Sequence, residues 1–189
     1  NWCFQMLKTK RRNFGNIFGH VKGIDDMSSL SDWVTSQFDP SLDWKDVSEI
    51  RSIWDGKLIL KGIMDREDAI AAVQAGADAI VVSNHGGRQL DGTISSIDAL
   101  PRILDVVGNR CEVWMDGGIR SGQDILRAVA LGATGTLIGR AFLYGLGASG
   151  QSGVYQTLEI LRKELDLTMG LCGLKKLADV DKSILHQYQ

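Results

Sequence analysis

Ala79-Ile80-Val81-Val82-Ser83-Asn84-His85-Gly86-Gly87-Arg88 runs an apolar strand into a glycine-rich loop that carries an imidazole and a guanidinium. Four successive apolar residues, three of them β-branched and bounded by turn residues, describe a short strand buried on both faces. Upstream, Leu58-Ile59-Leu60 is a second apolar run ending at Lys61. Between the two, Asp65 starts a helix with Glu67 and Asp68 in its first turn, where acidic residues face the positive end of the helix dipole. That helix is expected to bury Ile70 and Val73 and to stop at Gly76. Downstream the phrase repeats. A helix from about Asp98 to Val107 tolerates Pro101 in its opening turn. A strand from Glu112 to Met115 ends at Asp116, and Ser121 caps a helix carrying Ile125, Leu126 and Val129 that ends at Gly132. Thr136 to Ile138 is a fourth strand, ending at Gly139, and a long helix follows with Val154, Leu158, Leu161 and Leu165 in one line.

Short strands alternating with amphipathic helices mean βα units and a parallel sheet. A doubly wound sheet and a (β/α)8 barrel both satisfy that alternation, so the loops must decide. Before the first unit, Trp44, Val47, Ile50 and Trp54 mark one apolar helical face, and Trp33, Trp44 and Trp54 read as packing aromatics. Residues 1–40 show no clean periodicity.

Composition limits the alternatives. The 189 residues are 44% hydrophobic and 23% charged, which excludes bulk disorder. The 22 glycines and 2 prolines fit many tight turns and exclude a proline-rich linker. Cys3, Cys111 and Cys172 are widely separated, an odd set that reads as reduced thiols of a cytoplasmic protein. They form neither a disulfide framework nor a metal site. No apolar run approaches the ~20 residues needed to cross a bilayer. The chain opens on Asn1 in mid-phrase and is expected to belong to a longer protein.

In parallel α/β folds the working residues lie just past the carboxyl ends of the strands. Here those positions read Lys61; Ser83 to Arg88; Asp116-Gly117-Gly118-Ile119-Arg120; and Gly139-Arg140. The last two loops make an anion cradle: glycines admit a phosphate to backbone N–H groups, the helix after Ser121 offers its positive end, and Arg120 and Arg140 add bidentate charge. The final two loops of a (β/α)8 barrel are a recurrent phosphate site. Neither GxGxxG after a strand nor GxxxxGK[ST] occurs, so dinucleotide and P-loop readings lose support. His85 on its loop is placed to exchange protons near neutral pH, and Arg88 to clamp a carboxylate. Lys61 is a fixed cation facing developing negative charge.

The stretch Ser83-Asn84-His85-Gly86-Gly87-Arg88-Gln89-Leu90-Asp91, with Lys61-Gly62, Asp116 to Arg120 and Ile138-Gly139-Arg140, resembles the FMN-dependent 2-hydroxy-acid oxidases and dehydrogenases. The resemblance covers about residues 40 to 189. It implies a (β/α)8 barrel of which this chain supplies the last four β/α units, with FMN as cofactor. Lys61 would then face the flavin N1/O2 edge and Ser83 the same side. His85 would be the catalytic base, aided by Lys61, and Arg88 would hold the substrate carboxylate. Asp116 would bind the ribityl chain, and Gly117, Gly118, Arg120, Gly139 and Arg140 the phosphate. The reaction implied is oxidation of an (S)-2-hydroxy acid, L-lactate foremost, with electrons leaving for a quinone or cytochrome. A soluble oxidase reducing oxygen and a non-catalytic phosphate-binding half-barrel are the competing readings. The other half of the rim is not in these residues, so the piece alone is expected to bind flavin weakly and to turn over negligibly.

Net charge is −2 and unevenly spread. Residues 1–24 carry five cations (Lys8, Lys10, Arg11, Arg12, Lys22) and no acid, so the remainder carries −7. Trp2, Phe4, Met6, Leu7, Phe14, Ile17 and Phe18 alternate with those cations. Within the resemblance, residues 1–40 are a basic apolar segment expected to touch an anionic membrane surface, peripheral on the inner face of the cell membrane. The basic stretch is short and no nucleic-acid motif accompanies it, so nucleic acid is not an expected partner. A homo-oligomer is expected.

Overall fold

Four parallel strands lie side by side in chain order, β1 (Ile59–Lys61), β2 (Ala79–Val82), β3 (Glu112–Asp116) and β4 (Gly135–Leu137). The structure, a computed structural model, describes residues 4, 7–8, 14–17, 19–24 and 26–186. It divides into two units, Asn1–Asp43 and Trp44–Gln189. In the second unit each strand is followed by a helix: α3 (Arg66–Gln74), α4 (Ser96–Val107), α5 (Gly122–Leu131) and α6 (Arg140–Leu171), preceded by α2 (Trp44–Ile53). Every strand neighbours the next in sequence with no reversal of order. A doubly wound sheet needs such a reversal; consecutive units of a (β/α)8 barrel do not. The chain is therefore four β/α units of a barrel.

The core lies between the sheet and its helices. Ile80, Val82, Leu100, Ile103, Val107 and Val113 are fully buried, each worth roughly 1.5–3 kcal/mol relative to exposure. β2 is buried at every residue, whereas Ile59 of β1 is 58% exposed, because β1 has a strand on one side only. α3 buries Ala69 and Ala72 completely, with Ile70 and Val73 only partly covered, so small residues form its contact face. The helix caps follow sequence closely. Asp65, Ser95 and Ser121 accept backbone N–H bonds at the starts of α3, α4 and α5, and Gly132 closes α5 in a left-handed conformation.

Three local expectations change. α4 starts at Ser96, so Pro101 is its sixth residue and removes one interior hydrogen bond. The long helix is broken at Ser149 and Gly150, whose dihedrals are non-helical, so Leu158 stays half exposed while Leu161 is buried. Trp54 is 55% exposed and Ile53 79%, so the apolar face of α2 is largely uncovered.

At the amino ends of the strands, Asp78 accepts from Lys57 Nζ at 2.7 Å and the Leu58 N–H at 2.9 Å, and Arg51 Nη1 lies 3.5 Å away. This carboxylate ties α2 to the start of the sheet. Its pKa is lowered chiefly by the Lys57 hydrogen bond, then by the Leu58 N–H.

The first unit contains α1 (Met27–Ser36), which the sequence reading missed. Asp26 caps it, accepting the Ser29 N–H at 2.8 Å, while Ser29 Oγ accepts the Asp26 N–H at 3.1 Å. That reciprocal pair followed by Leu30, Trp33 and Val34 was a readable start signal. Residues such as Trp2, Lys10, Arg11, Arg12 and Phe18, on which much of the membrane expectation falls, lie outside the described residues. Among the described residues no helix is long and apolar enough to cross a membrane.

α5 and α6 cross closely at Gly122, where a Cβ would fall onto the Leu165 backbone nitrogen and lie 2.7 Å from the Leu161 carbonyl. Gly122→Ala should therefore separate the helices and destabilise the unit by about 1–3 kcal/mol, the usual range for overpacking. Thermal unfolding followed by circular dichroism would register this as a lowered Tm with unchanged helix content at low temperature.

Candidate active site

The parallel register sets the carboxyl ends of the strands on one rim. Lys61 pairs with Val81, and Asp116 with Leu137, so Lys61, the residue following β2 and Asp116 converge from three neighbouring strands. Lys61 Nζ donates to Asp116 Oδ2 at 2.6 Å and to Ser83 Oγ at 2.9 Å, and Ser83 Oγ donates to the same Asp116 oxygen at 2.7 Å. Ser83 is 3% exposed. Its oxygen also accepts the His85 N–H at 3.1 Å, so it fastens the loop to the ion pair beneath.

Two effects oppose each other at Asp116. Burial disfavours its charge, but the hydrogen bonds from Lys61 and Ser83 and the Lys61 charge outweigh that cost, with His85 adding a little. The carboxyl is held below its ordinary range.

A cavity of about 560 Å³ opens above this cluster. Lys61, His85, Arg88, Asp116, Gly117, Gly118, Arg120, Gly139 and Arg140 all line it. Every site residue expected from sequence is thus brought to one cavity except Ser83, which lies beneath it. Arg140 also reaches back to the Gly86 carbonyl at 3.5 Å, joining the first and last of the glycine loops.

The anion cradle is built differently from the sequence expectation. The start of α5 is already occupied by carboxylates. Glu164 Oε2 accepts the Gly122 N–H at 2.9 Å, and Asp124 Oδ2 accepts the N–H groups of Arg120 and Ser121, both at 3.0 Å. The start of α6 has no such cover: its cap is Gly139, which offers no side chain. An added Cβ at Gly118 or Gly139 would meet nothing within 4 Å. The open helix end at Arg140, flanked by two arginines, is where a phosphate fits.

Sequence reasoning missed Leu143, Tyr144 and Thr157, which also line the cavity. Tyr144 stands one helical turn after Arg140, and that i, i+4 spacing could have found it. Among the described residues no cluster of His, Cys, Asp or Glu could hold a metal ion.

The profile of the FMN-dependent dehydrogenases matches residues 2–187. The chain belongs to this family. It is 51% identical over 173 residues to an L-lactate dehydrogenase of Caulobacter sp. (strain K31), covering 92% of this chain and 45% of that protein. Two solved structures are similar. A mutant mandelate oxidase with a monooxide FMN adduct is 49% identical with a TM-score of 0.71, over 74% of this chain and 44% of the other. A protein described as the monotopic membrane protein (S)-mandelate dehydrogenase is 35% identical with a TM-score of 0.83, over 89% of this chain and 44% of the other. The chain spans about half the length of the curated relatives it matches.

FMN is the family's cofactor, and the residues present suit it. The cavity is lined by Arg120 and Arg140, by the unobstructed Gly118 and Gly139, and by the Lys61 ammonium held on Asp116.

Because the Asp116 pKa is depressed on folding, its stabilising effect is complete above the ordinary value near 3.8 and is lost as pH falls through the lower folded value. The Tm advantage of wild type over Asp116→Asn should be flat from pH 7 to about 5 and shrink below pH 4. Unfolding curves across that range check this.

Proposed function

We propose that the full-length protein containing this chain oxidises an (S)-2-hydroxy acid, L-lactate to pyruvate foremost, and passes the electrons to a quinone or cytochrome. The observation that carries this reading is the meeting of Lys61, His85 and Arg88 on one cavity with the two arginines of the phosphate cradle. The L-lactate dehydrogenase relatives favour lactate over larger hydroxy acids.

Lys61, Ser83, Asp116, Gly117, Gly118, Arg120, Gly139 and Arg140 are the residues that would hold FMN. Lys61 would face its pyrimidine edge, with Ser83 and Asp116 steadying that ammonium; Asp116 would also reach the ribityl chain, and the glycines and arginines would take the phosphate. Bound FMN would supply the two-electron acceptor for oxidation of the substrate at carbon 2. Arg88 clamps the substrate carboxylate through two parallel hydrogen bonds and so fixes which face of carbon 2 is presented. His85 takes a proton from the substrate as the 2-oxo acid forms. Lys61 is a cation that need not reorganise when negative charge develops beside it.

A second reading, a soluble oxidase that reduces oxygen, is favoured by the mandelate oxidase likeness. Steady-state rates with oxygen against a quinone analogue separate the two.

In the full-length protein, His85→Ala should remain yellow but be reduced by L-lactate at least about 100-fold more slowly, in the range expected for loss of a general base. Anaerobic stopped-flow reduction measures this, and unchanged reduction would overturn the assignment. The non-catalytic reading predicts no reduction by L-lactate in the wild type.

Residues 1–40 are proposed to bind an anionic lipid surface, on the strength of the five cations without an acid in residues 1–24 and of the membrane-associated dehydrogenase likeness. The expected localisation is the inner face of the cell membrane. Deleting residues 1–24 should abolish co-sedimentation with phosphatidylglycerol vesicles at low salt, and wild-type binding should fall as salt rises. Salt-insensitive binding that survives the deletion refutes the proposal.

A further inference from the structure

His85 is the one non-glycine residue with a positive φ (56°) among the described residues. Gly86 and Gly87 follow at 68° and 71°, so three successive residues sit in the left-handed region. Glycine adopts that region freely; a histidine must be held there. The hydrogen bonds around the turn identify what holds it. The Gly87 N–H closes the turn across its mouth, shared between the Asn84 carbonyl at 3.0 Å and Asn84 Oδ1 at 3.2 Å. Asn84 Nδ2 donates to the Ile94 carbonyl at 3.3 Å, tying the turn to the far end of the same loop. The Asn84 N–H donates at 3.3 Å to Oγ of Ser96, a buried residue in the first turn of α4. Gly117 packs on the same pair, since a Cβ there would lie 3.1 Å from Ser96 Oγ and 3.6 Å from Asn84 Oδ1.

Asn84 does not line the cavity that holds Lys61, His85 and Arg88. It lines a neighbouring one of about 450 Å³. Its side chain therefore acts on the turn and not on a ligand in the main cavity. We infer that Asn84 is a positioning residue, whose carboxamide keeps His85 in its left-handed conformation and so aims the imidazole into the cavity. Without it, His85 relaxes to negative φ, which swings its Cβ direction and carries the ring away from Arg88. This rests on the reading of His85 as the proton acceptor.

The test uses the full-length flavoprotein with three variants. Asn84→Ala removes both side-chain hydrogen bonds; Asn84→Asp keeps the acceptor for the Gly87 N–H and loses the donor to Ile94; His85→Ala is the control. If the inference holds, Asn84→Ala reduces its flavin about 10- to 100-fold more slowly with L-lactate, the scale of loss for an ångström-level displacement. FMN content stays at wild-type level, and kcat falls much more than KM rises. Asn84→Asp recovers most of the lost rate. A crystal structure of the Asn84→Ala protein shows His85 at negative φ, a readout independent of turnover. Wild-type reduction rates in both Asn84 variants, with His85→Ala inactive, overturn the inference and leave the role of His85 standing. An active His85→Ala overturns that role and the inference with it. Should Asn84→Ala fail to fold, Asn84→Leu, of similar shape and unable to hydrogen-bond, takes its place: a negative φ at His85 with a slowed rate supports the inference, and a wild-type φ and rate overturn it.

Discussion

The ion pair between Lys61 and Asp116 spans from β1 to β3, across the end of β2, and the rest of the site is assembled on it. Ser83, between them at the end of β2, hydrogen-bonds to both partners and to the His85 N–H. One small polar cluster thus locks three strand ends and the start of the histidine loop into a single arrangement. Lys61 keeps 44% of its side-chain surface exposed while Asp116 keeps 18%. Such a pair gives modest net stability, but removing one member strands the other in a partly desolvated place. Its chief effect is geometric: it fixes an ammonium at the floor of the cavity.

The two ends of the sheet divide the work. At the amino ends, Asp78 gathers Lys57, Arg51 and the Leu58 N–H, all groups of the chain itself, and no cavity residue of the active site lies there. At the carboxyl ends, arginines 88, 120 and 140 line open space. At the amino end the charges are satisfied within the protein, whereas at the carboxyl end the Lys61–Asp116 pair stands beside three arginines that line the cavity. This is the asymmetry expected of a (β/α)8 barrel, where one rim serves stability and the other function.

Much of this was legible. The strands at 79–82 and 112–116, the helix starts at Asp65 and Ser121, and the strand-end residues follow from local patterns that carry their own physical cause. What failed to show did so for equally physical reasons. Asp124 lies in the first turn of α5 and was a readable cap partner, but Glu164 comes from 42 residues away to take the Gly122 N–H, and no local pattern announces it. The break at Ser149 and Gly150 accompanies a close approach of Gly145 and Gly153, a contact between two limbs of what reads as one helix.

By itself the sequence determined the β/α alternation, the residues that stand at each strand end and the family to which they point, because periodicity, capping and turn chemistry act over a few neighbours. Only the tertiary structure decided which helix end is open to an anion, that Ser83 lies under the cavity floor, and that the turn carrying a left-handed His85 is tied through Asn84 to Ser96 of α4. Each of those depends on which groups a distant segment brings within hydrogen-bond reach. A donor's availability is a property of everything packed around it.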